Sequence, residues 1–592
     1  MNQNLILYFI MTFAYQMSIK ISRRILFVLL ITCTIGYQFG LAQSIALKGG
    51  TIINPDGSII KSATVLIKDD KITKVGSGSR VRIPSGTEVI DISGKWIIPG
   101  LIDSHVHFFQ SGGLYTRPDA IDLNSVRPYP QELQWIDDNL GRTFARYIKC
   151  GVTSVVDVGG PLSNADIKKL ASATDLAPRV AAAGPLLSTI SRETLDAGDP
   201  PIVKINSLED AKKLIAKHKE LQLDLIKIWY IVPRGQTPET NFEKVKNWVK
   251  VSHKEGFRVA IHAQELETAK AAIRAGADIL VHSVDDKEID DEFIQLVKKN
   301  KVICTTSMVV LEGYGEVFTQ QIRLTPQEFE LGDEQVIKTF FDLREIDERK
   351  IPERVRQLIH LKRPLAQNEV VLKNLKKMVD NGITVAMGTD AGNIGTLHGP
   401  SIFREFELMT QAGLTPLQII KSATINSAKL MGREKDLGSI QQGKLADLVI
   451  LNMNPLADIM NTSNIYRIVK DGKVFNPAEI LPKTPESIVA QQVNAYNARD
   501  LEVFLSYYSD DVKIYEFPDD LMLESKKEIV PRYVERFKST ELHARIINRM
   551  VVGNKVIDRE QVTGRNDGKV SNLVAIYEIN DEGLISKVWF VR

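Results

Sequence analysis

Six residues of types that bind divalent metal ions stand at the ends of successive apolar segments. Two histidines alternate in PGLIDSHVH, a lysine lies inside LIKIW, two more histidines end RVAIH and ILVH, and an aspartate follows VAMGT. Side chains two positions apart on an extended strand project to the same side, so the alternating pair can hold one ion. The alternative is a set of core histidines, but their repetition at matching strand ends favours metal binding. The residues are His105, His107, Lys227, His262, His282 and Asp390.

Lys227 lies between Ile226 and Ile228, where burial of a charged ammonium group is costly. Burial lowers the pKa of a lysine, and the neutral amine can add carbon dioxide to form a carbamate. A carbamate is a carboxylate and can bridge two metal ions. Two alternatives stay open from the sequence: an ion pair with a nearby carboxylate, or an ammonium group that reaches solvent.

Asp390 follows Gly388 and Thr389 at the end of the last apolar segment. A carboxylate at this position can contact the metal and exchange protons with water, so we assign Asp390 as the general base and acid. The alternative role is to cap the next helix. The glycine-rich loop AGNIGTLHGP intervenes before that helix and disfavours the capping role.

The elements that must position these residues are alternating strands and helices. Apolar runs alternate with helical patterns such as SLEDAKKLIAKHKEL, which is typical of βαβ units and a parallel sheet. Eight strands over residues 99–437 favour a closed (β/α)8 barrel, in which chemistry gathers at the carboxyl ends of the strands. The stretch from Met308 to Asp380 is too long for a simple crossover, and we expect it to form a lid or a pocket wall. The predicted strands are LIDSHVH, TSVVDVG, RVAAAG, LIKIWY, RVAIHA, ADILVHS, VICTTS and TVAMGTD.

Two further units flank the barrel. Short strands with turn residues fill residues 43–98 and return in residues 438–481, so we expect both stretches to form one composite β-sandwich. Residues 485–592 contain two helical stretches and then four strands, which indicates a separate α+β domain. The chain of 592 residues is too long for one compact unit, and we predict an α/β barrel with these two additions.

Residues 1–42 have the order of parts of a signal peptide: a basic SIKISRR, an apolar ILFVLLITCTIGY, and small residues before Gln43. We therefore expect cleavage after Ala42, export to the periplasm or the cell exterior, and no membrane span after cleavage. A retained anchor and a lipoprotein are the alternatives.

A formal net charge of +2 gives no reason to expect nucleic acid as a partner. Cys150 and Cys304 lie in or beside apolar segments, so we expect buried free thiols.

Motifs along residues 45–480 carry a family resemblance: PGLIDSHVH, GVTSVVDVGGP, DLIKIW, VAIHA, ILVHS, MGTDAG and LGSIQQGKLADLVILNMNPL. Together they resemble the amidohydrolase superfamily, close to its imidazolonepropionase-like and prolidase-like branch. The resemblance implies two divalent ions, zinc by default. The histidine pair and Asp390 would hold one ion, His262 and His282 the other, and carboxylated Lys227 would bridge them. It also implies that a hydroxide bridging the ions attacks the substrate carbonyl, while Asp390 passes a proton to the leaving amine.

Residues that contact the substrate are predicted from loops beside the strand ends. The loop GPLLSTISRETLDAG after the third strand lacks the histidine that many relatives carry there, which weakens inference from their substrates. A cationic side chain in these loops could hold a substrate carboxylate or could be a solvated charge. The candidates are Tyr230, Arg234, Gln264 and His398.

The C-terminal stretch AYNARDLEVFLSYYSDDVKIYEFP and the terminal LISKVWFVR resemble the cone-shaped SnoaL-like, or ketosteroid isomerase-like, fold. Tyr515, His543 and Asp558 are conceivable residues of the cone interior, but nothing in the sequence aligns a catalytic pair. We therefore expect an accessory domain that dimerises or binds a small ligand.

The sequence thus predicts an exported, dinuclear metal-dependent amidohydrolase that cleaves a C–N bond in a small amide, dipeptide or N-acyl amino acid. Hydrolysis of a lactone or another ester at the same site is an alternative. A non-catalytic ligand-binding protein is another, disfavoured by the intact set of metal-binding residues. We expect a small-molecule substrate and a homo-oligomer, for which the C-terminal domain offers one interface. The sequence contains no GxSxG elbow, no CxxC motif and no phosphate-binding GxxxxGK followed by Ser or Thr, so no motif indicates other chemistry.

Overall fold

The computed structural model describes residues 44–360 and 368–592. The predicted signal peptide lies outside the described residues. Within them, no helix combines the length and the apolar character needed to cross a membrane. Cys150 and Cys304 are buried and free, as predicted.

Strands and helices alternate through most of the described chain, and strands dominate its two ends. The strands are β1 Ser44–Ile53, β2 Ile59–Lys68, β3 Lys71–Ser77, β4 Glu88–Asp91, β5 Trp96–Pro99, β6 Leu101–Val106, β7 Val152–Asp157, β8 Arg179–Ala182, β9 Leu186–Ser188, β10 Ile202–Lys204, β11 Leu225–Trp229, β12 Arg258–His262, β13 Ile279–Val281, β14 Ile303–Thr305, β15 Val385–Ala386, β16 Leu448–Leu451, β17 Ile465–Lys470, β18 Lys473–Phe475, β19 Tyr508–Glu516, β20 Asp520–Leu523, β21 His543–Val552, β22 Lys555–Thr563, β23 Ser571–Ile579 and β24 Ile585–Val591.

The helices follow the same chain order. They are α1 Tyr129–Lys149, α2 Asn164–Ser172, α3 Leu208–Glu220, α4 Glu239–Lys254, α5 Leu266–Ala275, α6 Asp291–Asn300, α7 Val309–Thr319, α8 Pro326–Leu331, α9 Glu334–Thr339, α10 Glu353–His360, α11 Glu369–Asp380, α12 Ser401–Gln411, α13 Pro416–Lys421, α14 Ser427–Met431, α15 Pro485–Ala498, α16 Leu501–Ser506 and α17 Lys526–Arg536. A π-helical turn, Ser422–Asn426, joins α13 to α14.

The barrel contains all eight strands that the sequence predicts: β6, β7, β8, β11, β12, β13, β14 and β15. Sequential neighbours pair in parallel from β6 to β8 and from β11 to β15, and apolar side chains such as Ile226, Val259 and Leu280 are buried between strands and helices. The first and last strands meet where the N–H of Ser104 donates to the carbonyl oxygen of Met387 at 3.0 Å. This contact closes the barrel by joining its first strand to its last.

The third barrel strand is interrupted, which the sequence did not predict. β8 pairs with β7, and β9, three residues later, pairs with β11. The break contains Pro185, which has no N–H to donate to a neighbouring strand. The N–H of Asp224 donates to the carbonyl oxygen of Ala182 at 2.8 Å and keeps the two halves of the barrel together. Beyond the break, β10 adds to the outside of β9.

The long connection before the last barrel strand contains α7 to α11. Helix α7 packs so closely on the loop after β15 that a Cβ at Gly313 would lie 2.8 Å from the carbonyl carbon of Gly395. Val310, Leu311 and Tyr314 of α7 line the cavity described below. The connection therefore supplies a pocket wall.

The stretches before and after the barrel share one eight-stranded sheet, in the order β18-β17-β16-β5-β1-β2-β3 with β4 beside β1. β16 pairs antiparallel with β5, with Leu448 opposite Pro99. The first half of β1 pairs with β4 and its second half with β5, while its pairing with β2 has register shifts between Lys48 and Ile52. The sheet thus ties the beginning of the barrel to its end.

The C-terminal unit is a six-stranded sheet, in the order β20-β19-β24-β23-β22-β21, covered by α15 to α17. The three conceivable cone residues are each held by a different partner. Tyr515 stacks on Trp589, His543 contacts Glu345 of the barrel connection, and Asp558 forms an ion pair with Arg549. These contacts do not assemble a catalytic pair from the three residues.

Candidate metal centre

The ends of the first and last barrel strands bring three metal-binding side chains together. Nε2 of His105 and Nε2 of His107 each lie 3.1 Å from Oδ1 of Asp390. The N–H of Asp390 donates to the carbonyl oxygen of His105 at 2.7 Å, and Asp390 has a φ of 64°, which non-glycine residues rarely adopt. Beneath them, the buried carboxylate of Asp103 accepts from the hydroxyl of Thr389 at 2.6 Å. His105, His107 and Asp390 are all buried, and their ligand atoms lie within 4.8 Å of one another.

The hydrogen bonds of the two histidines turn their Nε2 atoms towards this centre. Nδ1 of His107 lies 2.6 Å from the carbonyl oxygen of Gly159, which only accepts, so Nδ1 carries a proton. Nδ1 of His105 contacts the hydroxyl of Ser307 at 2.9 Å, and its Nε2 is buried without a hydrogen-bond partner among the described residues. Burial lowers the pKa of His105 to about 4, so the ring is neutral at pH 7.

The carboxylate of Asp390 completes a donor set that fits a divalent cation. Burial alone would raise the pKa of Asp390, but His105 and His107 hold it well below its usual range. Two imidazole nitrogens therefore face an ionised carboxylate at 3.1 Å inside the protein. A cation placed between these groups would be bound by both nitrogens and by the carboxylate, and imidazole nitrogen with carboxylate oxygen is a donor set that zinc accepts.

Three further predicted ligands line the same cavity as Asp390. Nδ1 of His282 lies 3.8 Å from Oδ2 of Asp390 and has no hydrogen-bond partner within residues 44–360 and 368–592. The rings of His262 and His282 are 4.4 Å apart between centroids. Burial, and then the charge of Lys227, lowers the pKa of His262 to about 3. Burial also lowers the pKa of His282 well below its ordinary value, so both rings are neutral at pH 7, the form in which imidazole binds a metal ion.

Lys227 points into this cavity from β11 and is 2% exposed. It forms no ion pair within the part of the chain that the structure describes, so the paired alternative left open by the sequence does not apply there. Burial lowers its pKa to about 8. A buried, unpaired amine with a lowered pKa is the form that reacts with carbon dioxide.

Asn393, which sequence reasoning missed, holds Asp390 from the other side. Its Nδ2 donates to Oδ1 of Asp390 at 2.8 Å and to the Asp390 carbonyl oxygen at 3.2 Å. Its Oδ1 accepts from Nη1 of Arg117 at 2.6 Å and from the hydroxyl of Tyr314 at 2.9 Å. The orientation of the Asn393 amide is fixed, because its Oδ1 faces two donors and its Nδ2 faces two acceptors.

Arg117 was also missed. Besides Asn393, its guanidinium holds Asp119 through two parallel bonds, Nε to Oδ1 at 2.7 Å and Nη2 to Oδ2 at 2.8 Å. Arg192 lies 3.5 Å from the same carboxylate and 5.0 Å from the ring centroid of Trp229. Loop residues of this kind follow no periodic pattern; the only available signal was a charged residue in TRPDA shortly after the histidine pair.

The cavity in front of these groups has a volume of about 360 Å³. Metal-binding side chains and Arg117 form its polar end, and the rest of its wall is mainly apolar. The apolar lining residues are Phe109, Leu186, Leu195, Ile202, Trp229, Val310 and Leu311. Such a space accommodates a small molecule with one polar reacting group and an apolar body.

Of the four predicted substrate-binding residues, the structure brings only Gln264 to this cavity. Tyr230 follows Trp229, and because neighbouring strand residues face opposite ways it points outward, where its hydroxyl donates to the carbonyl oxygen of Pro238. Arg234 lies on an exposed turn and is not among the lining residues.

His398 is buried behind the cavity rather than in its wall. Its Nε2 donates to the carbonyl oxygen of Gln110 at 2.8 Å, and its Nδ1 accepts from the hydroxyl of Tyr147 at 2.8 Å. The two ring nitrogens thereby connect the loop that carries Gln110 to helix α1. The motif TLHGP did not distinguish this supporting position from a lining one.

Comparison with known sequences identifies two families in the chain. The model of the Amidohydrolase family matches residues 96–475, and the model of the SnoaL-like domain matches residues 489–588. Ochratoxinase of Aspergillus niger is 24% identical over 483 residues, which cover 74% of this chain and 88% of that protein. An imidazolonepropionase of Fusobacterium nucleatum is 24% identical over 452 residues, which cover 69% of this chain and 90% of that protein.

Solved structures share the architecture. A Xaa-Pro dipeptidase with methionine bound in its active site matches with a TM-score of 0.56 at 23% identity, over 73% of this chain and all 100% of that chain. The crystal structure of A. niger ochratoxinase matches with a TM-score of 0.55 at 21% identity, over 74% and 96% of the two chains. Likeness at this level of identity concerns the fold. The predicted fold class and both predicted resemblances are confirmed.

Proposed function

The chain belongs to the amidohydrolase family, and from that membership we propose that it uses two divalent ions to hydrolyse a C–N bond in a small amide, dipeptide or N-acyl amino acid. One observation carries the proposal. The Nε2 atoms of two histidines converge at 3.1 Å on the ionised carboxylate of Asp390, which lines the barrel cavity.

The donor set supports a division of the ligands between two ions. His105, His107 and Asp390 would hold the first, and His262 and His282 the second. A carbamate on Lys227, formed when its neutral amine adds to carbon dioxide and releases a proton, would reach both. Zinc fits this mixture of imidazole nitrogen and carboxylate oxygen, although other divalent ions accept it as well.

Ions bound there would supply Lewis-acid chemistry, which polarises a carbonyl group and lowers the pKa of water. The protein's own groups would do the rest. Asp390 takes a proton from the attacking water and passes it to the nitrogen that leaves, so that the amine departs neutral. Asn393 keeps the carboxylate of Asp390 pointed at the centre throughout, because its amide is fixed by Arg117 and Tyr314.

The cavity supports a substrate with an apolar body. Its volume of about 360 Å³ suits a molecule of two amino-acid units rather than a polymer. Trp229 and the aliphatic lining would bury the apolar part, while the scissile amide would lie at the metal end. Val310, Leu311 and Tyr314 of α7 line this cavity and would shield the reacting group from bulk water.

The test combines metal analysis with a substrate screen on the full chain. We expect metal-reconstituted protein to bind about two equivalents of zinc and to hydrolyse dipeptides or N-acyl amino acids that have an apolar side chain. His105→Ala and His107→Ala should each lose bound metal and activity. His253→Ala is the matched control, since His253 is an exposed surface histidine whose ring bonds to Asp278, away from the cavity.

Esters matched to each amide form the second arm of the screen. Protein that binds no stoichiometric divalent metal, or that keeps full activity in His105→Ala, would rule out the proposed chemistry. Turnover of the esters with no detectable turnover of any matched amide would move the assignment to ester hydrolysis at the same centre.

Export is a separate part of the proposal and rests on residues 1–42. The basic, apolar and small-residue parts of this segment occur in the order that a signal peptidase recognises. Mass analysis of the N-terminus after expression in a bacterium should find Gln43 as the first residue and the protein outside the cytoplasm. An intact N-terminus in the cytoplasmic fraction would contradict export.

A further inference from the structure

The C-terminal domain packs on one part of the barrel connection, residues 332–345. Ile337, Phe340 and Phe341 of this segment belong to the same buried apolar cluster as Ile488 and Val489 of α15. None of these five side chains is more than 3% exposed. An apolar junction of this kind restrains the relative motion that two domains would otherwise have.

Two buried side-chain amides of α15 fix the backbone of this segment. Nδ2 of Asn494 donates to the carbonyl oxygen of Glu334 at 3.0 Å, and Nε2 of Gln491 donates to that of Gly332 at 3.2 Å. Gln491 is 6% exposed and Asn494 is 2% exposed. The bonded carbonyls lie where α8 ends and α9 begins, so they set the position of α9 relative to the C-terminal domain.

The same segment forms hydrogen bonds with a loop of the barrel, residues 110–119. Oγ1 of Thr339, at the end of α9, accepts from the N–H of Leu114 at 3.0 Å. Oδ2 of Asp342 accepts from the hydroxyl of Tyr115 at 2.9 Å. A Cβ added at Gly113 would lie 2.8 Å from Oγ1 of Thr339, so the loop and α9 are already in close contact.

The loop carries Arg117, which supports Asp390 of the candidate metal centre through Asn393. Arg117, two positions after Tyr115, donates to Asn393 at 2.6 Å, and Asn393 donates to Oδ1 of Asp390 at 2.8 Å. The backbone adds two parallel ties between the loops, from the N–H of Gly112 to the carbonyl oxygen of Gly392 at 2.8 Å and from the N–H of Gly395 back to that of Gly112 at 2.9 Å.

We propose that the C-terminal domain is a positioning element of the hydrolytic site. It holds residues 332–345 through α15, that segment holds residues 110–119, and that loop holds Arg117 and Asn393 against Asp390. The role in catalysis rests on the proposed function, whereas the mechanical coupling does not. Gln491 and Asn494 are positioning residues in this scheme, since neither lies among the residues that line the cavity.

Hydrogen exchange of the full-length protein tests the coupling without any need for activity. The variant is the double substitution Gln491→Ala and Asn494→Ala. Its matched control is Gln561→Ala with Asn572→Ala, which removes the same two residue types where they bond each other on β22 and β23. We expect the junction variant to speed amide exchange of residues 112–117 and 390–396 at least about threefold, and the control to leave both segments unchanged.

Steady-state kinetics tests the catalytic part. The junction variant should lower kcat/KM per metal-loaded site by about threefold to tenfold, the range that the loss of one or two neutral hydrogen bonds carries. Tyr115→Phe, which removes one hydroxyl from the barrel side of the same path, should have a loss of similar size. The triple variant should lose little more than the larger of these effects, because both substitutions break one chain of contacts.

The results separate the two claims. Unchanged exchange in both segments of the junction variant, or effects of Tyr115→Phe and the junction variant that multiply, overturns the positioning role. Faster exchange in the junction variant, together with a wild-type protein that hydrolyses no substrate, leaves the coupling in place and refutes the proposed function instead. If the junction variant fails to fold, Tyr115→Phe is the deciding variant: faster exchange at residues 390–396 supports the coupling, and unchanged exchange contradicts it.

Discussion

Replacement of Asn393 by leucine should impair turnover although Asn393 is neither a predicted metal ligand nor a predicted proton carrier. Asn393 is 3% exposed, and its side chain takes part in four hydrogen bonds. Leucine has nearly the same volume but can form none of them. The substitution therefore removes the polar contacts of Asp390 on this side and leaves the packing almost intact.

The size of the effect follows from the bond to the carboxylate. Nδ2 of Asn393 donates to Oδ1 of Asp390 at 2.8 Å, and hydrogen bonds to charged groups contribute about 1.5–3 kcal/mol. If about 2 kcal/mol of positioning is lost in the transition state, kcat falls by roughly thirtyfold. Metal affinity should weaken by about tenfold to a hundredfold as well, since groups that orient a ligand affect metal binding to that extent.

The assay is steady-state kinetics at saturating metal, with bound metal measured by mass spectrometry in the same samples. Asn300→Leu is the control, because Asn300 is an exposed asparagine at the end of α6. A variant that binds metal as the wild type does and keeps kcat within about threefold would show that Asp390 does not depend on this amide.

Three further outcomes follow from the structure. Lys227→Met should reduce bound metal from two equivalents to at most one by mass spectrometry, and full retention would show that the amine does not bridge. Arg192→Ala removes the cation that lies 5.0 Å from the ring of Trp229. It should raise KM about threefold for apolar substrates with kcat unchanged, since an exposed cation–π contact contributes about 0.5–1 kcal/mol; an equal loss in kcat would contradict a role limited to binding. Gly392→Ala should lower the thermal unfolding temperature and metal content, because Gly392 has a φ of +106° and a Cβ there would lie 2.4 Å from a carbonyl oxygen of the histidine pair. Gly86→Ala, also at positive φ but with open space around it, is its control and should change neither.

The sequence predicted the barrel and the six metal-type residues well because these features follow a regular pattern. Buried parallel strands appear as short apolar runs, and a polar residue directly after such a run stands at a strand end. That logic placed His262 and His282 beside Asp390 although they are far apart in the chain. It also predicted that Lys227 would be buried, which the structure shows.

Side chains in loops could not be placed in the same way. Arg117 and Asn393 are positioned by a tertiary contact with each other, and no periodic pattern in the sequence indicates that contact. Tyr230 and His398 were assigned to the cavity because they follow strand ends, but the first points outward and the second holds a loop from behind. The break between β8 and β9 was missed because a chain that changes partner at Pro185 still appears apolar on both sides.

The sheet shared by the two ends of the barrel has a consequence for biosynthesis. Strand β5 keeps an open edge until β16 is available, and the amide of Ile440 donates to Oδ1 of Asn54 across 386 positions. At about 5–20 residues per second, a ribosome needs roughly 20 to 70 s to make the chain between these strands. For that time Trp96–Pro99 is an apolar edge that invites pairing with other chains. A nascent chain stopped before Leu448 should therefore aggregate or recruit a chaperone, whereas one released after Phe475 has already closed its sheet.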